Sequence, residues 1–237
     1  MKTLFLVIPR RISVRYVLSS DVFPLLKERK DLRMVILSSI NDPEFIKEFS
    51  AENVFIEYIP MRDGKENPAE RTLRIFRNYF GNAYNDFSTF DIKIRKRGKF
   101  IYFFYRCFVK IAPFLSFLKK WAVWLDLHLI SPLSDKYYET LFQKYSPDLV
   151  VIHSVFELTA IPLARVAKRR GVPSVGIVLS WDNLTNKGEI YAKCDKLIVW
   201  NEIMRKEAIK YHYYKEKDIV VTGTPVSYTH LRAHETG

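Results

Sequence analysis

Seven short apolar runs, bounded by turn-forming or polar residues, set the pattern of the chain. Most are nearly continuous Val, Ile and Leu, which is typical of strands that are covered on both faces. We predict a strand in each run, namely Thr3–Pro9, Arg33–Ser39, Val54–Pro60, Asp148–Ser154, Pro173–Ser180, Lys196–Trp200 and Asp218–Gly223.

Helical patterns lie between these runs. Asp42 before Pro43 indicates a capped helix start with proline at the first position, and Gly171 suits a helix C-terminus. The predicted helices lie near Val22–Arg29, after Asp42, from about Ala160 to Gly171, and from Glu202 to about Tyr211 with Asn201 as the cap. Strand–helix alternation of this kind predicts an α/β fold, a Rossmann-like parallel sheet with helices on both faces. In such sheets ligands bind at the carboxyl ends of the strands.

The segment from about residue 67 to 133 departs from this alternation, and we predict a helical, strongly basic insertion there. Cations followed directly by aromatic residues are typical of a membrane interface, because anionic head groups attract the charges and the rings lie at the boundary. The predicted membrane-contact residues are Arg95, Lys96, Arg97, Lys99, Phe100, Phe103 and Phe104. The alternative interpretation is a solvated basic loop followed by a buried helix.

The net charge of +12 favours an anionic partner, which can be phosphate groups, nucleic acid or an acidic membrane face. A hydrophobic fraction of 48% is ample for a folded core. Nucleic acid is the less favoured partner because the chain carries no recognised RNA- or DNA-binding motif. Cys107 and Cys194 have no metal or redox spacing, which favours a reduced, cytoplasmic compartment.

Several catalytic and cofactor motifs are absent from the sequence. It contains no GxGxxG, no Walker P-loop, no HExxH and no GxSxG, and it has only 8 glycines. Dinucleotide oxidoreductases, P-loop nucleotidases and nucleophile-elbow hydrolases are therefore disfavoured. We expect neither a metal site nor a bound cofactor.

Two strand ends carry candidate functional side chains. Arg10, Arg11 and Arg15 follow the first strand, in what we predict to be a loop, where guanidinium groups can hold a phosphate or carboxylate. His153 ends the fourth strand, a position suited to acid–base chemistry, although a structural histidine is the alternative.

The stretch SWDNLTNKG, Ser180–Gly188, follows the apolar fifth strand as a predicted polar loop. Asp182 can accept a proton from a sugar hydroxyl, and Trp181 can stack on a sugar ring. Ser180, Asn183 and Thr185 supply further hydrogen-bonding groups. An Asx-turn beside a packed tryptophan is the alternative, but it does not account for the whole cluster.

From Asp148 to Pro225 the order of parts resembles the second half of the N-terminal domain of a GT-B enzyme. The matching parts are DLVVIH, an alanine-bearing helix, a GVP turn, the polar SWDNLT loop, CDKLIVWNE and VVTGTP. SWDNLT resembles bacterial surface-polysaccharide glycosyltransferases and CDP-glycerol glycerophosphotransferases. Residues before Pro60 fit only as generic strand–helix units.

This resemblance implies transfer of a sugar from a nucleotide sugar to a polysaccharide or lipid-linked acceptor, at the cytoplasmic face of the cell membrane. It implies Asp182 or His153 as the catalytic base, and a role for Arg10, Arg11 or Arg15 toward an acceptor phosphate. The alternatives are a polyol-phosphate transferase or nucleotide-sugar epimerase, or a non-catalytic basic protein that binds membrane or RNA.

The last residues, Val226–Gly237, lack the periodicity of the rest and contain two of the five histidines. VSYTHLRAHET matches the in-frame translation of a common sequencing-library adapter. We therefore expect residues 226–237 to be non-native, residues 1–225 to form the acceptor-side domain, and a C-terminal donor domain to be missing. The alternative interpretation of residues 226–237 is a genuine disordered tail.

Overall fold

A computed structural model describes residues 1–62, 67–85, 88–111, 114–130, 132, 135–191 and 193–223. The predicted tail, 226–237, and the proposed domain boundary at Pro225 lie outside these residues. All seven predicted strands are confirmed: β1 (Lys2–Ile8), β2 (Leu32–Ser38), β3 (Val54–Tyr58), β4 (Leu149–Ile152), β5 (Ser174–Ile177), β6 (Lys196–Val199) and β7 (Ile219–Val221). They form one parallel sheet in the order β3-β2-β1-β4-β5-β6-β7.

Helices cover both faces of the sheet, as predicted. The first group, on one face, is α1 (Arg11–Val17), α2 (Val22–Lys27) and α3 (Pro43–Phe49). The second group, on the other face, is α8 (Lys136–Tyr145), α9 (Ile161–Arg170), α10 (Asn183–Asn186) and α11 (Glu202–His212). Alternate residues of β1 divide between the faces, since Leu4 and Leu6 pack with the first group and Phe5 and Val7 with the second.

Local capping sets several helix ends where the sequence predicts them. The Asp42 side chain accepts a hydrogen bond from the Glu44 amide, and Asn201 accepts one from the Met204 amide. Gly171 ends α9 in the left-handed conformation, at φ 66°. Three helices, α1, α8 and α10, are not among the predictions, and α1 replaces the loop expected around Arg11 and Arg15.

The insertion is helical, as predicted. Its elements are α4 (Pro68–Asn85), α5 (Ser88–Arg95), α6 (Lys99–Ile111), α7 (Ser116–Leu125) and a π-helical turn at Asp126–Ile130. Its own small core is built on Phe80, Ile94 and Tyr105. We call α4 to α7 with this turn the helical unit.

A buried group of ion pairs joins the helical unit to the sheet domain. Arg165 of α9 is 1% exposed, and its Nη2 lies 2.7 Å from both Glu70 Oε1 and Asp135 Oδ1. Its Nη1 lies 3.1 Å from Asp126 Oδ1. Glu70 and Asp126 belong to the helical unit, so one guanidinium contacts carboxylates on either side of the junction.

Further arginines complete the charge balance of this cluster. Arg62 Nη2 lies 2.6 Å from Glu70 Oε2, and Arg77 Nη1 lies 3.4 Å from Asp126 Oδ2. Burial raises the pKa of Asp126 and of Asp135, with Arg165 opposing the rise. Burial would also raise the pKa of Glu70, but Arg165 and Arg62 hold it below its ordinary value. The junction therefore depends on buried arginines that favour the ionised form of these carboxylates.

Gly176 of β5 lies against the segment that follows β4, and a side chain there has no room. A Cβ on Gly176 would meet Val155 Cγ1 at 2.3 Å and Cys194 Sγ at 3.1 Å. We expect Gly176→Ala to lower the free energy of unfolding by about 1–3 kcal/mol, measured by urea denaturation. Adding Val155→Ala removes the clashing methyl, so the double variant should lose less than the two single losses added together. Additive losses would contradict this account.

Candidate functional site

Most of the predicted site residues lie along the carboxyl edge of the sheet. The strand order reverses between β1 and β4, and in sheets of this kind ligands bind at the carboxyl edge beside that point. Arg10 follows β1, His153 follows β4, and Ser180 to Thr185 follow β5. The predicted membrane-contact residues lie elsewhere, on α5, α6 and the turn between them. The fold therefore brings three of the four predicted groups to one edge.

After β5 the chain holds Asp182 in a fixed environment. The Ser180 hydroxyl donates to Asp182 Oδ1 at 2.5 Å, and Asn186 Nδ2 donates to Asp182 Oδ2 at 3.2 Å. The Ser180 and Asn186 hydrogen bonds lower the pKa of Asp182. The carboxylate is thus ionised and partly exposed at neutral pH.

The segment after β5 is more ordered than the predicted loop. Asn183–Asn186 forms one helical turn, α10, and the Thr185 hydroxyl donates to the Asp182 carbonyl at 3.3 Å. Asn183 is buried within this turn rather than presented to solvent. Trp181 is 69% exposed, so the packed tryptophan of the alternative interpretation is wrong.

His212, which the sequence analysis did not single out, fixes this segment from below. It is fully buried, and its Nδ1 accepts a hydrogen bond from the Ile190 amide at 3.1 Å. Because Nδ1 accepts, Nε2 carries the proton and donates to the Leu184 carbonyl at 2.7 Å. One neutral imidazole therefore ties both ends of the stretch Leu184–Ile190.

His153 lies beneath the surface of the edge. Its side chain is 2% exposed and stacks on the Tyr16 ring with centroids 6.0 Å apart. Burial lowers the pKa of His153 to about 4, so the imidazole is neutral at physiological pH. Nδ1 has no hydrogen-bond partner among the described residues. As a base His153 is weaker and less accessible than its place on the strand suggested.

The three arginines after β1 occupy different environments. Arg10 Nε lies 2.9 Å from Glu157 Oε2, and Arg11 Nη2 lies 2.9 Å from Asp42 Oδ2. Arg15 is exposed on α1. The expected loop is wrong for Arg11 and Arg15, because the chain turns into a helix directly after Arg10. Arg10 and Arg11 also line an open hollow beside Ser39 and Met61.

A second cleft, missed by the sequence analysis, lies between α4 and the segments that follow β4 and β5. Its volume is about 110 Å³. Its polar lining comes from Arg74, Arg77, Asn78, Lys187 and Glu189, and its apolar lining from Val155, Phe156, Leu158, Ile161, Ile190 and Tyr191. The lining carries three cations, of which Arg77 also pairs with Asp126, and one carboxylate, so its balance of charge suits an anionic group.

Arg77 forms the inner wall of this cleft. Its Nη2 donates to the Tyr191 carbonyl at 2.9 Å, and its guanidinium carbon lies 3.9 Å from the centroid of the Tyr191 ring. Arg74 lies one turn earlier on α4, three residues away in sequence. The spacing of Arg74 and Arg77 was the only signal of this cleft in the sequence. It places both arginines on one side of α4 but does not show which loops of the sheet that side contacts.

Two further observations concern metal binding and membrane crossing. Within the described residues, no set of three His, Cys, Asp or Glu side chains is arranged to hold a metal ion. In the same part of the chain, no helix combines the length and apolar character needed to cross a bilayer.

No family model matches the chain, and no curated protein matches it. Among solved structures, a glycosyltransferase from Rickettsia africae ESF-5 is similar at 14% sequence identity with a TM-score of 0.42. The alignment covers 94% of this chain and 42% of that one, so this chain spans less than half the length of that protein. At this distance the activity named for that protein does not transfer to this chain.

Proposed function

We propose that this chain is the acceptor-side domain of a glycosyltransferase, the N-terminal domain of a GT-B enzyme that transfers a sugar from a nucleotide sugar. The observation that carries the proposal is the arrangement after β5. There an exposed indole, Trp181, adjoins the ionised carboxylate of Asp182 at the ligand-binding edge of a parallel sheet. A flat aromatic face beside a fixed hydrogen-bond acceptor suits a saccharide, which offers both an apolar ring face and hydroxyls.

In the proposed reaction an acceptor hydroxyl attacks the anomeric carbon. The bond from that carbon to the acceptor oxygen forms, the bond to the phosphate oxygen breaks, and the nucleoside diphosphate leaves with the electron pair. Asp182 accepts the hydroxyl proton. Its low pKa makes it a weak base for a free alcohol, so the transfer belongs late in the step, when the attacking oxygen has become acidic. His153, the other candidate, is too buried here to touch the acceptor.

The cleft beside α4 supports an acceptor with an anionic group. Arg74 and Lys187 line it together with apolar side chains such as Phe156 and Ile161. This combination suits a phosphate attached to an apolar body, as in a lipid-linked acceptor. Such an acceptor would place the enzyme at the cytoplasmic face of the cell membrane. Arg10 and Arg11 remain the second candidates for phosphate contact, through the neighbouring hollow.

The test is nucleotide-sugar turnover by the full-length protein with and without saccharide acceptors. We expect consumption that depends on the acceptor, and we expect Trp181→Ala to raise the acceptor KM about tenfold through loss of ring stacking. Phe55→Ala, at an exposed ring on the edge strand β3, is the matched control and should leave the KM unchanged.

Other products distinguish the alternative functions. Conversion of the nucleotide sugar without any acceptor would indicate an epimerase, and transfer of a polyol phosphate would indicate a CDP-glycerol-type enzyme. Binding to membranes or RNA with no turnover of any nucleotide-linked donor would replace the enzyme proposal with a non-catalytic protein.

A further inference from the structure

The outer sides of α6 and α7 expose large aromatic side chains to solvent. Phe114 is 85% exposed and Phe100 is 76% exposed. The full set, which we call the aromatic face, consists of Phe100, Phe103, Phe104, Phe114, Phe117, Trp121 and Trp124. Single exposed apolar residues are ordinary, but a set of this size on two consecutive helices and the turn before the second one (Phe114) marks an interaction surface.

The inner sides of the same helices explain why this face points outward. Tyr105 and Phe108 of α6 and Leu118 of α7 pack with Phe80 of α4. Ala122 of α7 is likewise buried. Each helix therefore has one apolar side in the core of the helical unit and a second apolar side that the described chain leaves uncovered.

A basic run adjoins the aromatic face. Arg95, Lys96 and Arg97 end α5 and its following turn, and Lys99 begins α6 directly before Phe100. All four cations are exposed. Lys120, also exposed, lies on α7 between Phe117 and Trp121. Positive charges thus flank the apolar rings, on α6 and α7 themselves and on the end of α5 with its following turn.

We infer that the aromatic face docks on the surface of an anionic lipid bilayer. The rings would enter the boundary between head groups and acyl chains, where Trp and Phe are favoured, and the basic run would contact lipid phosphates. With 13 residues in α6 and 10 in α7, these helices are suited to lying along the surface rather than crossing it.

Charge selects the bilayer over a second copy of the chain as the occupant. A symmetric dimer through the aromatic face would bring two basic runs together, in a protein whose net charge is already +12. An anionic membrane instead neutralises those charges while it covers the rings. The sequence pattern had indicated contact only between Arg95 and Phe104, and the structure adds Phe114, which precedes α7, and Phe117, Trp121 and Trp124 of α7.

The experiment is co-sedimentation of the chain with vesicles of phosphatidylcholine mixed with phosphatidylglycerol, and with vesicles of phosphatidylcholine alone. We expect binding to the anionic vesicles that weakens with added salt. The double variant Phe117→Ser/Trp121→Ser should bind about tenfold more weakly or worse, because two side chains no longer enter the boundary. Lys96→Glu should weaken binding about fivefold or more, because it replaces a positive charge near the surface with a negative one.

Matched controls on α11 separate docking from general effects. Ile203→Ser removes an exposed apolar side chain and Lys206→Glu reverses an exposed positive charge, both outside the helical unit. Both should leave vesicle binding unchanged. All substituted residues are exposed, so the thermal unfolding temperature should be the same in every variant. This measurement also checks that each variant folds.

Two outcomes would overturn the inference. The first is that the chain does not bind anionic vesicles, or that Phe117→Ser/Trp121→Ser binds them as tightly as the unchanged chain. The other is a dimer in sedimentation velocity that the aromatic double variant converts to monomer while vesicles bind neither form. Vesicle binding needs no sugar transfer, so its failure and a failure of the proposed reaction are distinguishable.

Discussion

Replacement of Arg165 by methionine is expected to lower the free energy of unfolding by about 3–5 kcal/mol, because it leaves buried carboxylates without their shared partner. Methionine keeps most of the side-chain volume, so lost packing contributes little. Glu70, Asp126 and Asp135 would then be charged groups within a closed junction. Urea denaturation at neutral pH measures the loss.

The pH dependence identifies the cause of that loss. Burial already raises the pKa of Asp126 and Asp135, and removal of Arg165 takes away the charge that opposes the rise. A carboxyl whose pKa is raised in the folded state lowers the free energy of unfolding as the pH rises through that pKa. The difference between wild type and Arg165→Met should therefore shrink as the pH is lowered below neutral and these carboxyls bind protons.

Lys168→Met is the control, since Lys168 is exposed on the same helix and its replacement should change stability by no more than about 0.5 kcal/mol. A small loss for Arg165→Met, or one that is independent of pH, would mean that water or relaxation of the helical unit compensates for the missing guanidinium.

Strand positions were predictable because a strand buried on both faces requires an unbroken run of apolar residues, whatever its neighbours are. β1 and β4 show this directly, since their alternate side chains pack on opposite faces of the sheet. Caps at Asp42 and Asn201 were predictable because they are local hydrogen bonds. α1 was missed because its seven residues, RISVRYV, bury only Ser13 and Val17, which is too little for a visible period.

The cleft and the ion cluster were not predictable, because their members come from distant parts of the chain. Arg62, Glu70 and Asp135 are ordinary charges when read one at a time. One signal was present in the sequence of α9. Apart from Arg165 itself, all residues from Ile161 to Ala167 are buried and uncharged. An arginine held among such neighbours requires carboxylates from elsewhere, but the sequence does not say which ones.

The same cluster links the two proposed surfaces. Arg77 contacts Asp126 of the cluster and also forms the wall of the cleft through Tyr191. Contacts on α4 therefore hold the helical unit, with its aromatic face, in a set position relative to the carboxyl edge of the sheet. Under both proposals, docking through that face would fix the distance of the cleft from the lipid surface.

Asp182→Asn is expected to reduce kcat of the proposed sugar transfer by the full-length protein by about 10²–10⁴-fold, the usual contribution of a positioned proton acceptor. The amide matches the carboxylate in shape, and Ser180 can still donate to its oxygen, so α10 should persist. Donor affinity should be unchanged, because the proposed donor site belongs to another domain. Acceptor KM should change little if the charge acts mainly in the transition state.

Asn186→Ala separates chemistry from positioning. It removes one hydrogen bond to Asp182 but keeps both the carboxylate and the Ser180 contact, so most activity should survive. Equal losses in Asp182→Asn and Asn186→Ala would assign Asp182 a structural role in the turn. Full turnover in Asp182→Asn would remove it as the base and return attention to His153, which would then have to become accessible when the acceptor binds, since in this structure it lies buried against Tyr16.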